Sequence, residues 1–251
     1  MKKILITAVC LSLLAVNCKD DENPVEEHTH VDGNTVVSAQ FNWKWGLDAF
    51  DVTQTYTTAL NEKIKIERVQ FYLAQPYFSD DNDVLVEEFP AKYLLVDLAD
   101  GALVQNIGEV NGHLHTMDFI LGLDSVTNHS DPALVAVDHP LSISNNMHWS
   151  WSQGYIFLKV EGKFDSDGDG IVEGTDDPFT YHCAGSDALR RNAEVDVHHD
   201  ALTGGAYIIT MNVDLAALIG SIAIQAEPSA QGAGPVNVQL MNNLRNAIST
   251  P

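Results

Sequence analysis

The stretch TVVSAQFNWKW, residues 35–45, decides the fold class. Val37, Ala39, Phe41, Trp43 and Trp45 share one parity, and an extended strand puts every second residue on one face, so the segment predicts a strand burying that face in a core. A second long strand is expected where residues 63–66 lead into VQFYLA (69–74), ending near Pro76. Further strands are predicted over 83–86, 93–97, 114–121, 155–161, 178–182, 194–197 and 206–213. Many short strands punctuated by Asp, Asn and Gly turns, without long intervening helices, predict an all-β fold, an antiparallel β-sandwich. Helical spacing appears only late: a turn over 214–219, and Leu240, Met241, Leu244 and Ile248 at intervals of three to four, which predict a short C-terminal helix.

With 251 residues and 45% hydrophobic content, the chain can bury one substantial core. Thirteen Lys and Arg against 35 Asp and Glu give a net charge of -22, which excludes a nucleic-acid partner, since phosphate recognition needs a basic footprint. Cations are the matching partners. Neither a G-x-S-x-G elbow nor a phosphate-cradling Gly-rich loop before a helix is present, so the chain is expected to bind rather than to catalyse.

The opening MKKILITAVCLSLLAVNC, residues 1–18, has the basic start and short apolar run of a secretory signal. Its end, Leu14-Ala15-Val16-Asn17-Cys18, resembles a bacterial lipobox, with Asn17 where a small residue is usual; Cys18 would be lipidated. Lys19-Asp20-Asp21-Glu22 resembles a surface-export tag of Gram-negative lipoproteins. The expected organisation is a signal peptide (1–17), a lipid-anchored acidic tether (18–33) containing His28 and His30, and one β-sandwich domain (34–251), held at the outer membrane and facing outward. Cys183 is then the one thiol left in the mature domain, either buried and inert or held by a metal.

Two motifs suggest cation chemistry. Asp165, Asp167 and Asp169 fall at positions one, three and five of a calcium loop, Gly170 at the turn, Ile171 at the backbone-carbonyl position seven and Asp176 at twelve. No flanking helices are predicted, so this is a calcium loop within a β protein. In His113-Leu114-His115-Thr116-Met117, a strand would project His113, His115 and Met117 from one face at intervals of about 6–7 Å. Two imidazoles with a thioether and no carboxylate favour copper(I), with zinc open. The alternative puts His113 in a turn after Gly112, leaving His115 alone inward. His182 is either a core histidine or a buried ligand, and His198-His199 reads as an exposed pair outside the site.

FYLAQPYF (71–78), GLDS (122–125), M-x-W-x-W-x-x-G-Y with K-x-E-G (147–162), FTYH (179–182) and VDLAAL (213–218) together resemble the methanobactin-associated copper-binding proteins, the MbnP-like family. The resemblance spans most of 36–245. It implies an extracytoplasmic β-sandwich that binds copper through histidines, assisted in some members by a tryptophan oxidised to kynurenine by a dihaem MauG-like peroxidase. His182 matches the family's Phe-x-x-His, and Trp149 and Trp151 match its paired tryptophans; His113 and His115 rest on strand geometry alone. The leading expectation is a copper-capturing or copper-buffering surface lipoprotein with a structural calcium loop, its ligands drawn from His113, His115, His182 and Met117. The competing expectation is a surface accessory module of an outer-membrane system, beside a TonB-dependent transporter, without a transition metal.

Overall fold

The computed structural model describes residues 34–150, 152–201 and 205–251. The signal peptide, the tether with His28 and His30, Cys18 and Trp151 lie outside the described residues. The chain enters as β1 (Asn34–Trp45), passes two short strands, β2 (Asp48–Ala49) and β3 (Tyr56–Thr57), and extends into β4 (Lys63–Ser79). Then come β5 (Leu85–Glu88), β6 (Tyr93–Asp97), β7 (Val104–Asn111) and β8 (His113–Leu121), followed by a one-turn helix α1 (Ser125–Asn128). After a long connection come β9 (His148–Ser150), β10 (Gly154–Phe164), β11 (Pro178–Ala184), β12 (Arg190–Asp200) and β13 (Gly205–Asp214). The chain closes with α2 (Leu215–Ile219), β14 (Ser229–Gly232), α3 (Pro235–Ala247) and β15 (Ile248–Ser249).

Two sheets pack face to face. One has the order β15-β13-β1-β2 with β7 also on β1; the other has the order β12-β8-β4-β10-β11-β14, with β3, β5 and β6 on β4 and β9 on β10. The alternation in β1 buries Val37, Ala39, Phe41 and Trp43 on the inner face, as its parity predicts. Across the gap Phe71 of β4 meets Phe41 and Trp43 edge-on, with ring centroids 6.0 and 6.2 Å away, the geometry aromatic quadrupoles favour.

The sandwich is all-β, but its sheets are mixed. β1 runs parallel to β13 and β11 parallel to β14. The β1–β13 pairing needs a long crossover, here supplied by most of the second sheet together with β2 and β7. The second long strand does not stop at Pro76. A bulge, with Gln75 at φ 53°, lets β4 pass the proline, which has no N–H for the ladder, and pairing with β8 resumes at Tyr77. β7 was not legible because its Gln105, Asn106 and Gly108 carry no apolar alternation. The C-terminal helix is present, starting at Pro235 and burying Leu240, Met241 and Leu244, while Ile248 is buried in β15 just beyond it.

From Val69 to Ala74 β4 is buried at every residue, so both its faces are covered. The connection between β8 and β9 lies over the outer one. The Tyr72 hydroxyl donates to the Pro140 carbonyl (3.1 Å), Tyr155 to Leu141 (2.8 Å) and the buried Lys159 ammonium to Asn146 (2.8 Å), while Met147 is sealed beneath. Burial holds the Lys159 amine below its ordinary range. Cys183 is fully buried, and burial pushes its thiol up, which fits the inert alternative.

Candidate metal centre

One hairpin turn, the start of β8 and the end of β12 meet at one rim of the second sheet. Asp81 sits in the β4–β5 turn, where the Asp80 carboxylate accepts from the backbone amides of Asn82 (2.8 Å) and Val84 (2.9 Å) and fixes the tip. Gly112, at φ 117°, ends the β7–β8 turn and starts the strand that carries His113 and His115. On β12 the ladder runs from Asp196 opposite Thr116 to His199 opposite Leu114, so Val197 and His198 together face the single residue His115. This is a bulge, and His198 adopts φ 46° within it. The extra residue turns His198 towards His115, a placement that plain alternation does not give.

The result is a convergence of three donor atoms. His115 Nδ1 lies 3.1 Å from His198 Nδ1 and 2.9 Å from Asp81 Oδ1, the imidazoles standing edge to face with centroids 4.4 Å apart. One donor from each of Asp81, His115 and His198 falls within 4.8 Å of the others. Ligands bound at about 2.0–2.1 Å are separated by about 2.9 Å at right angles and about 3.3 Å in a tetrahedron, so these spacings suit a single ion. The other Asp81 oxygen is 3.2 Å from His113 Nε2, and His113 Nδ1 is 2.6 Å from Asp200 Oδ1. The Asp200 hydrogen bond, aided by the Asp81 charge, raises His113 above its ordinary value against the opposing effect of burial. The side chains of Asp81 and His115 are 59% and 31% exposed, which leaves the rim open to an ion from solvent.

The remaining expected ligands are placed elsewhere. His113, His115 and Met117 do share a face, but along the strand that face passes from the rim into the core. Met117 is fully buried opposite Phe78 and Val195. His182 lies on β11, and its register leads through Lys159 to Gln70 of β4, whereas His115 lies beyond the pairing of Thr116 with Ser79, some nine residues further along β4, so it does not join His115 on one ion. Its Nε2 is held 2.8 Å from Glu161 Oε1, and the other Glu161 oxygen pairs with Arg68 Nη1 at 3.0 Å. Trp149 is on β9, 37% exposed, beside the start of β10, while His182 pairs with Lys159 further along. His199 stacks on Tyr207, centroids 3.9 Å apart, and takes no part in the cluster. Sequence reasoning set aside His198 and did not consider Asp81. The available signals were a His-His pair at the end of a strand neighbouring His-x-His, and an Asp-rich turn.

At the second motif, Asp165, Asp167 and Asp169 each bring one oxygen within 4.8 Å of the others. Asp165 accepts the amides of Gly168 and Gly170, both at 2.8 Å, and so shapes the loop as well. Asp176 does not close the trio. Its oxygens accept from the amides of Ser166 (2.9 Å) and Glu173 (2.8 Å), bonds that hold its pKa below the ordinary value and make it a brace across the loop's base. Ile171 is exposed at the loop's edge.

A mixed-sheet sandwich with two imidazoles and a carboxylate converging at its rim is a metal-associated β-sandwich. The profile of the MbnP family matches residues 34–237, and the chain belongs to that family, which is linked to copper. Among solved structures, MbnP from Methylosinus trichosporium aligns with 16% identity over 81% of this chain and 82% of that one, at a TM-score of 0.47. No curated protein matches the sequence.

Proposed function

We propose that this protein is an extracytoplasmic copper-binding lipoprotein that captures or buffers copper for uptake, holding the ion at Asp81, His115 and His198. The convergence of the three donor atoms at the rim carries the reading, because imidazole nitrogens at that spacing are a site for a first-row transition ion. Family membership supports copper as the cargo. The acidic chain favours cation arrival. Oxidation of Trp149 or Trp151 by a dihaem peroxidase, and delivery to a TonB-dependent transporter, are the partner steps this reading allows. The test is metal analysis of protein purified from its native host: about one copper per chain is expected, and a chain carrying calcium alone would overturn the reading in favour of an accessory module.

The Asp165–Asp169 loop is proposed to hold a structural calcium ion. Asp167→Ala leaves the Asp165 cap in place and removes one of three clustered charges. Saturating wild type at about 100 times the Kd would add about 2.7 kcal/mol, or roughly 5–10 °C in Tm for a chain of this size, and Asp167→Ala should lose most of that gain. A wild-type melting curve indifferent to calcium and chelator would remove the calcium claim.

Anchoring is proposed through Cys18. Cys18→Ser should move the protein from the membrane to the soluble fraction, because an acidic tether has no membrane affinity of its own. Fractionation reads this directly, and a variant still sedimenting with membranes would point to a protein partner as the anchor.

A further inference from the structure

We infer that Asp81 tunes the rim site for a divalent ion, cupric above all, over cuprous copper, and that His113 is the positioning residue that aims Asp81; the inference rests on the copper reading above. The donor set is two imidazole nitrogens and one carboxylate oxygen. Thioether and thiolate are the donors that select copper(I), and here both are out of reach. Met117 is sealed in the core, and Cys183 is fully buried on β11, outside the rim. Nitrogen and oxygen donors suit copper(II) and zinc, with copper(II) the tighter of the two.

Charge points the same way. Asp80 and Asp83 share the Asp81 turn, and Asp196 and Asp200 flank the β12 bulge, so an entering ion meets a field that attracts a dication twice as strongly as a monocation.

His113 is built as a brace. One nitrogen faces Asp81 Oδ2 and the other faces Asp200 Oδ1, so it links two carboxylates, and Asp81 is left with a single oxygen turned to the ion. Ligating carboxylates held in this way lose about 10- to 100-fold in metal affinity when the outer partner is removed.

The experiment titrates the mature chain with copper(II) and, under reductant with a competing chelator, with copper(I), and records the electron paramagnetic resonance spectrum of the cupric form. Asp81→Asn keeps an oxygen donor but removes its charge, and should weaken copper(II) by about 10- to 100-fold, short of a ligand's full removal, and shift copper(I) by no more than about threefold. His113→Gln should weaken copper(II) by about tenfold while the number of coupled nitrogens stays at two, a spectroscopic result that a ligand's removal would not give. Equal weakening of both ions by Asp81→Asn, or the loss of one coupled nitrogen in His113→Gln, overturns this inference and leaves copper binding intact. If His115→Ala and His198→Ala instead retain both ions, the copper reading falls, and this inference with it.

Discussion

Alanine at His198 is expected to lower copper affinity by at least about 100-fold, and alanine at His115 to do the same, whereas His182→Ala and His199→Ala stay within about threefold of wild type. Removing an outer partner of a metal ligand already costs 10- to 100-fold, so removing a ligand from a three-donor site costs at least the upper end of that range. The contrast follows from placement. His198 and His115 face each other at 3.1 Å, His182 is held by Glu161 at the height of Gln70 on β4, far along the sheet from the rim, and His199 is stacked flat on Tyr207. Competition titration against a chelator of known affinity measures all four. A loss in His182→Ala as large as in His198→Ala would move the site to β11.

The second large effect is on stability. Phe71 is fully buried and is the ring through which β4 touches both Phe41 and Trp43 of the opposite sheet. Phe71→Ala removes that burial and leaves a cavity between two sheets that cannot close over it, a loss of about 3–5 kcal/mol. That is a large fraction of the about 5–15 kcal/mol that holds a typical domain folded. Urea unfolding should show the midpoint falling with the slope unchanged. Leu47→Ala, at a side chain 98% exposed, should stay within about 0.5 kcal/mol. A small shift for Phe71→Ala would mean that the sheets are held together elsewhere.

Much of the fold was legible because burial in a sandwich leaves a period of two. Val37, Ala39, Phe41 and Trp43 declare β1, and the spacing of Leu240, Met241 and Leu244 declares α3. Strand partners leave no such trace, so the parallel pairing of Thr35 with Gly205 could not be read. The covering of β4 by the β8–β9 connection was hidden for a related reason: the bonds that tie it down go to the carbonyls of Pro140, Leu141 and Asn146, which any residue supplies.

The candidate metal centre was half legible. His-x-His on a strand is a local pattern and was found. His198 joins it through a bulge, a register change that depends on both strands, and Asp81 arrives from a turn whose reach depends on the length of β4. Met117 obeyed the predicted parity and still lay outside the site, because parity names a face and says nothing of where along the strand that face leaves solvent for the core.

The parallel pairing of β1 with β13 also sets the order of assembly. β1 is the first strand of the domain, and its register with β13 runs from Thr35 opposite Gly205 to Lys44 opposite Asp214. Most of the second sheet, from β3 to β12, precedes β13 in the chain, but the first sheet closes only when its last long strand is available. Until then β1 presents an unsatisfied edge, with Val36 among its side chains, to any other extended chain nearby. Such a topology folds slowly and late, and a chain cut short before β13 leaves β1 paired along one edge only.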